Sequence, residues 1–310
     1  MSIVVSIPGV DKTNWWIEQL QALLPGWTIR PIHDPGDVKK VTYAVVWKPA
    51  TGAFLPFPNL KAIVSLGAGI DHVLADAELP RQVPIIRTVG TDLTQRMREY
   101  VALHVLRHHR DMPAIAANQR EKRWKQLVVP PATQRRVGVM GLGNLGGTAA
   151  RTLASLGFET LGWSRTRHEI DGVTTYAGDG EFADFLARCD ILVCLLPLTE
   201  ATTGILDARL FARLPQGASV INAGRGPHLV EGDLLDALES GQLSHATLDV
   251  FHVEPLPSEH SFWAHPAITV TPHIASLIDA PTGSRIVAAN IERFEATGYV
   301  EDLADAERGY

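Results

Sequence analysis

An arginine, a glutamate and a histidine stand in three short segments, in that order, along this 310-residue chain: Arg225 in INAGRG, Glu254 in HVEPLP and His273 in TPHIAS. A cation, a carboxylate and an imidazole are the groups that reduction of an α-keto acid requires. Arg225 can hold a substrate carboxylate, His273 can give a proton to a carbonyl oxygen, and Glu254 can orient that histidine and favour its protonated form. A charged arginine beside the carbonyl also stabilises the negative charge that develops on oxygen. Each residue alone has an ordinary alternative: one of 12 histidines, a loop arginine between glycines, a glutamate capping a turn before Pro255. The ordered set is what favours chemistry.

Upstream lies a glycine fingerprint, Gly141-Leu142-Gly143-Asn144-Leu145-Gly146, between a strand-like RRVGVM and a helical run with Leu145, Ala149, Leu153 and Leu156 along one side. Gly141 permits a tight turn, Gly143 lets the backbone approach a pyrophosphate, and Gly146 lets helix and strand pack closely, with the phosphates at the helix N-terminus. A unit of this kind that takes NAD carries an Asp or Glu about 20 residues further on, accepting from the ribose hydroxyls. This chain has Ser164-Arg165-Thr166-Arg167 there. Without the carboxylate nothing repels a 2′-phosphate, and Arg165 and Arg167 can pair with it, so NADP(H) is expected over NAD(H), with NAD still possible.

The elements that must position these groups form two rhythms. Short apolar runs at residues 3–7, 27–31, 43–47, 62–65 and 85–87, with a helix over 14–24, predict a small parallel α/β domain. Residues 92–109 contain no Pro or Gly and predict one longer connecting helix, and Asp111-Met-Pro opens another. Strands are then predicted at 136–140, 160–163, 191–196, 219–222, 247–250 and 268–271, separated by helical segments such as 233–238. Six strands with helical crossovers point to a doubly wound sheet. A last helix over 279–297 is expected to return to the first domain. The fold class is therefore α/β with two doubly wound parallel-sheet domains, the first built from 1–96 and 279–310, the second from 97–278.

Composition narrows the class. A net charge of -6 with scattered positive residues gives no support for nucleic-acid binding, and no apolar run approaches the roughly 20 residues of a membrane span. The start, MSIVVSIPGVDK, reads as a first strand rather than a signal peptide. Cys189 and Cys194, in or beside CDILVCLLP, read as buried reduced thiols, which favours a cytoplasmic setting. No metal site is predicted.

The motifs WW, VVWKP, LGAGID, MREYV, GLGNLG, WSRT, LLPLTEATTG, INAGRG, LDVF, HVEPLP and TPHIAS, in this order over nearly the whole chain, resemble the D-isomer-specific 2-hydroxyacid dehydrogenases, most closely the glyoxylate/hydroxypyruvate reductase A type. The resemblance implies a flavodoxin-like substrate domain around an inserted Rossmann domain. It implies Arg225 on the substrate carboxylate and carbonyl, His273 as proton donor and Glu254 as its partner. It further implies a substrate loop at Leu66-Gly67-Ala68-Gly69 and a pocket edge at Trp47. Cofactor contacts are implied at Leu196, Pro197, Thr203, Ala223, Gly224 and Asp249, besides the glycine loop and Ser164, Arg165 and Thr166. The expected substrate is a small 2-keto acid, glyoxylate or hydroxypyruvate, and the expected assembly a homodimer through residues 92–124. Ala50 and Ser261-Phe262-Trp263 depart from the reductase pattern and leave the preferred keto acid open. A dinucleotide-sensing binding protein of corepressor type, or another dehydrogenase of the superfamily, is the alternative reading.

Overall fold

The computed structural model describes residues 1–305, and the chain divides into two compact units: Met1–Asp92 with the chain from Ile278 on, and Leu93–Leu277. The first unit contains β1 (Ser2–Ser6), α1 (Val10–Leu23), β2 (Thr28–Pro31), β3 (Val41–Val46), β4 (Ala62–Ser65), α2 (Asp71–Leu74) and β5 (Ile85–Arg87). Its sheet is parallel with order β2-β1-β3-β4-β5, a flavodoxin-like arrangement. All six residues of β3 are buried, as expected of a central strand covered on both faces. The C-terminal helix (Ala280–Thr297) belongs to this unit and packs on α1, where a Cβ on Gly283 would lie 2.2 Å from the Trp16 ring. Beyond that helix, Leu303 bridges antiparallel to Ile86.

The second unit begins with α3 (Thr91–His109) and α4 (Met112–Arg120). There follow β6 (Arg136–Met140), α5 (Asn144–Ser155), β7 (Glu159–Ser164), β8 (Val173–Ala177), α6 (Phe182–Leu186) and β9 (Ile191–Cys194). The unit is completed by α7 (Ala208–Phe211), β10 (Ala218–Asn222), α8 (Glu231–Glu239), β11 (Leu243–Leu248) and β12 (Ile268–Val270). Its seven strands are all parallel, in order β12-β11-β10-β9-β6-β7-β8. Period-two alternation decides the two cores: Val137 and Val139 of β6 face α5 and the α3 residues Met97, Tyr100 and Val101, whereas Met140 faces Phe185, Phe211 and Phe262. Each such side chain contributes roughly 1.5–3 kcal/mol by leaving water.

Two elements differ from the sequence expectation. The sheet gains β8 at its edge, where Val173–Ala177 is only partly buried and so lacks the continuous apolar run that marks a covered strand. The first helix starts at Val10 rather than 14, with no side-chain cap on its first turn. Both cysteines are free and buried, and burial pushes both thiols up, Cys194 to about 12, which removes them as nucleophiles at neutral pH. Among the described residues no helix is long and apolar enough to cross a membrane, and no cluster of His, Cys, Asp and Glu is placed to hold a metal.

Candidate active site

Because every strand of the seven-stranded sheet runs the same way, the residues just after each strand lie along one edge. Gly141 follows β6, Ser164 ends β7, Leu196 and Pro197 follow β9, Ala223 to Arg225 follow β10, Asp249 follows β11 and His273 follows β12. The strand order reverses between β6 and β9, and in open α/β sheets the crevice at such a reversal takes the ligand.

At that crevice the glycine loop has the shape its sequence requires. Gly141 has φ of 95°, and a Cβ there would lie 2.7 Å from the Leu195 carbonyl oxygen. A Cβ on Gly146 would lie 1.8 Å from the Gly141 oxygen, so only glycine lets α5 approach β6 this closely. Gly143 meets nothing within 4 Å and is exposed with Asn144 at the first turn of α5, leaving the amide-rich helix start open to a pyrophosphate. Leu142 is buried and Leu145 half-buried beneath it. These residues fit a dinucleotide, with the phosphates at the α5 N-terminus.

After β7 the Ser164 hydroxyl donates to the Thr166 carbonyl at 2.7 Å, and Arg165 and Thr166 are exposed. Arg167 is engaged elsewhere: it donates to the Thr175 carbonyl at 2.8 Å and pairs with Glu181, whose second oxygen accepts from the Ala177 amide. That amide, followed by the Arg167 guanidinium, holds the Glu181 carboxyl below its usual range. Of the two arginines that the sequence offers to a phosphate, Arg167 braces β8 to its neighbours, and Arg165 is exposed just after β7.

The second half of the site lies on the turn after β12. The Glu254 side chain, 17% exposed, accepts from the His273 ring at Nδ1 (2.9 Å) with one oxygen and from the Phe251 amide (3.1 Å) with the other. A carboxylate only accepts, so Nδ1 carries the proton and Nε2 is directed away from Glu254. His273 has φ of 54°, a left-handed conformation unusual for a histidine, which persists only where surrounding bonds fix it. Asp249 supplies them. Its backbone oxygen accepts from the His273 amide (2.8 Å), one carboxylate oxygen accepts from Thr271 Oγ1 (2.6 Å) and the Ile274 amide (2.9 Å), and the other accepts from the Ala275 amide (2.8 Å). Since the Thr271 hydroxyl donates to Asp249, it accepts from the Tyr100 hydroxyl at 2.8 Å, and α3 is thereby tied to the turn. Asp249, 1% exposed, thus organises the histidine turn with its carboxylate.

After β10, the Asn222 amide group donates to the Arg225 carbonyl (3.0 Å), its oxygen accepts from the Gly224 amide (3.2 Å), and an Arg225 guanidinium nitrogen donates to the Gly224 carbonyl (2.8 Å). Ala223 and Leu196 are buried behind this loop. Thr203 is exposed and donates to the Thr199 carbonyl, while Thr202, which sequence reading passed over, donates to the Pro197 carbonyl at 2.7 Å.

The first unit carries its own predicted residues. Trp47 packs against His72 with ring centroids 4.4 Å apart and planes tilted by 53°, and it covers Gly67, where a Cβ would lie 2.9 Å from the indole. His72 Nδ1 accepts from the Lys48 amide at 3.2 Å, so its Nε2 donates to the Ser65 hydroxyl at 2.9 Å, and Ser65 donates to the Gly69 carbonyl at 3.0 Å. Ala68 and Gly69 are partly exposed at the turn so formed.

A family profile described as the NAD binding domain of D-isomer specific 2-hydroxyacid dehydrogenases matches residues 102–275. Glyoxylate/hydroxypyruvate reductase A of Yersinia enterocolitica is 41% identical over 315 residues, with 100% of each chain covered. The chain belongs to the D-isomer specific 2-hydroxyacid dehydrogenase family. The solved 2-hydroxyacid dehydrogenase of Xanthobacter autotrophicus Py2, in complex with NADPH and MES, is 43% identical with a TM-score of 0.93 and 99% of each chain covered. The NADPH-dependent glyoxylate/hydroxypyruvate reductase of Sinorhizobium meliloti, in complex with NADP and sulfate, is 41% identical with a TM-score of 0.91, covering 100% of this chain and 99% of that one. For a 2-hydroxyacid dehydrogenase, several of the residues that shape these loops have backbone groups as partners and could not be named from the sequence. Thr202, Asn222 and His228 carry no side-chain pattern of their own, and only the folded loops show what they hold.

Proposed function

We infer that this protein reduces small 2-keto acids, glyoxylate and hydroxypyruvate, to 2-hydroxy acids with NADPH. The observation that carries this reading is the Glu254–His273 pair, Nδ1 to Oε2 at 2.9 Å, on the same sheet edge as Arg225 and the glycine loop. The nicotinamide cofactor, when bound, supplies hydride. Arg225 holds the substrate carboxylate and faces the charge that grows on the carbonyl oxygen, and His273 gives that oxygen a proton from Nε2. Glu254 keeps the ring oriented by accepting from Nδ1. Arg165 supports NADPH over NADH, as do the relatives that hold NADPH or NADP. The buried thiols agree with a cytoplasmic setting.

Initial rates for glyoxylate, hydroxypyruvate, pyruvate and a bulky keto acid, each with NADPH and NADH, test the reading. Glyoxylate and hydroxypyruvate with NADPH should give the highest kcat/KM. Cofactor binding without turnover of any keto acid would leave a dinucleotide-sensing protein instead. In the same assay Arg165→Ala should raise the NADPH KM roughly 10- to 100-fold, the worth of one charged hydrogen bond, and change the NADH KM little. Equal losses for both cofactors would remove Arg165 from the phosphate site.

Leu103 and Leu106 of α3, Met112 and Ile115 of α4, and beyond them Trp124 (97% exposed) and Val128 (99%), place an unusual amount of apolar surface on one stretch of chain. We read it as the surface that a second copy covers. Sedimentation at micromolar concentration should give twice the chain mass, and a monomer there would remove the assignment.

A further inference from the structure

His228 lies three residues after Arg225, is 0% exposed, and has no part in the chemistry described above. Its Nδ1 accepts from the Arg225 amide at 3.0 Å, and its Nε2 lies 3.3 Å from the Pro197 carbonyl oxygen. Cys194 Sγ also lies 3.9 Å from Nδ1, and the two shorter bonds define the ring. Nδ1 must be unprotonated to accept from an amide, and Nε2 must carry the proton to reach a carbonyl, so His228 is the neutral Nε2–H tautomer. The loops on either side are built around it. A Cβ on Gly224 would lie 2.8 Å from Nδ1, 2.9 Å from Cε1 and 3.1 Å from the Leu196 oxygen, so the chain passes the ring only as glycine. The Pro197 carbonyl is fixed on its other side by Thr202, and the His228 carbonyl accepts from the Leu206 amide at 2.8 Å.

We propose that His228 is a positioning residue that clips the backbone of Arg225 to the loop after β9, and so sets where the substrate arginine stands relative to the cofactor loop. The proposal rests on the assignment of Arg225 to the keto-acid carboxylate. A hydrophobic residue here would pack but would leave the Arg225 amide and the Pro197 carbonyl without these partners in a dry interior. Arg225 would then shift, and a displacement of about 1 Å in a group that positions substrate is worth on the order of 10²-fold in rate.

Three substitutions in the full-length protein separate the arms of the clip. His228→Leu removes both bonds, His228→Asn keeps an acceptor near the place of Nδ1, and His228→Gln keeps a donor near the place of Nε2. His228→Leu should raise the keto-acid KM and lower kcat/KM on the order of 10²-fold while NADPH affinity is nearly kept, since that affinity comes from the glycine loop and Arg165. His228→Asn should recover most of the keto-acid KM, and His228→Gln should not. Equal losses in all three variants, recovery by Gln alone, or native kinetics for Leu would each overturn the clip. A readout independent of activity and of variant folding is the ring nitrogen NMR of wild-type protein labelled at histidine. It should report the neutral Nε2–H form for His228 at pH 7, and a Nδ1–H or doubly protonated ring would overturn the proposal. If the wild type turns over no keto acid, the reductase reading fails while the nitrogen spectrum still decides whether the clip exists.

Discussion

His273→Ala is expected to lower kcat with the best keto acid by about 10²- to 10⁴-fold, the range for removal of a positioned general acid, and to leave NADPH binding nearly intact. The separation follows from where the groups stand. His273 follows β12 at one end of the sheet order, whereas the glycine loop follows β6 and the Ser164–Thr166 segment follows β7. The φ of 54° at position 273 strains alanine at least as much as histidine, but the backbone bond to Asp249 and the Asp249 bonds to Ile274 and Ala275 are kept, so the turn should survive the substitution. Glu254→Gln should fall between wild type and His273→Ala, because an amide oxygen still accepts from Nδ1–H but brings no negative charge to the ring. Fluorescence titration with NADPH and steady-state rates from pH 5 to 9 check both. Near-native turnover of His273→Ala across that range would mean that another group donates the proton.

The second large effect is on stability. Three histidines of α3, His104, His108 and His109, are each less than a tenth exposed, and each has a buried Nδ1 with no hydrogen-bond partner. Burial pushes His104 down to about 4, helped by Arg107 and opposed by Asp249; burial with His245, His104 and Arg107 pushes His108 down to about 3. His109 is lowered by burial and by Arg135 and Arg110, and His245, facing His108, is lowered by burial and Arg107 against Asp111. In the unfolded chain these rings take protons near pH 6.5, whereas the folded protein resists until about 4 and 3. Their stabilising contribution is therefore complete above pH 6.5 and lost as pH falls from there through those lower values. His104 and His108 together carry several kcal/mol of that dependence, a large share of a net stability of about 5–15 kcal/mol. The melting temperature should fall steeply from pH 6.5 to 4.5, and His104→Phe, which keeps a ring against Tyr100 without a titrating nitrogen, should flatten the fall. A wild-type melting temperature that stayed level to pH 4.5 would contradict this account.

What the sequence made legible follows from what forces a residue's identity. Gly141 and Gly146 could be read because their neighbours leave no room for a Cβ, and the pairing of Glu254 with His273 because a carboxylate and an imidazole are complementary. The double α/β pattern was legible because buried parallel strands are nearly continuous apolar runs. β8 was not, since a half-exposed edge strand needs only alternate apolar positions. The Arg167–Glu181 pair was hidden for a different reason: the two residues are 14 apart, and only the fold brings them together. His228 was hidden most completely, because the two groups nearest its ring nitrogens are backbone atoms.

The helix at Ala280–Thr297 that packs on α1, and the bridge of Leu303 to Ile86, also bear on how the chain is made. The unit Leu93–Leu277 is contiguous and can fold as soon as it leaves the ribosome, but its neighbour stays short of a helix until the last residues emerge. Joining Ile86 to Leu303 through an unfolded chain would close a loop of roughly 200 residues, a costly step in chain entropy. With Leu93–Leu277 already folded, that span is no longer a flexible coil. Synthesis from the N-terminus thus favours an order in which the inserted unit folds first and the split unit closes last.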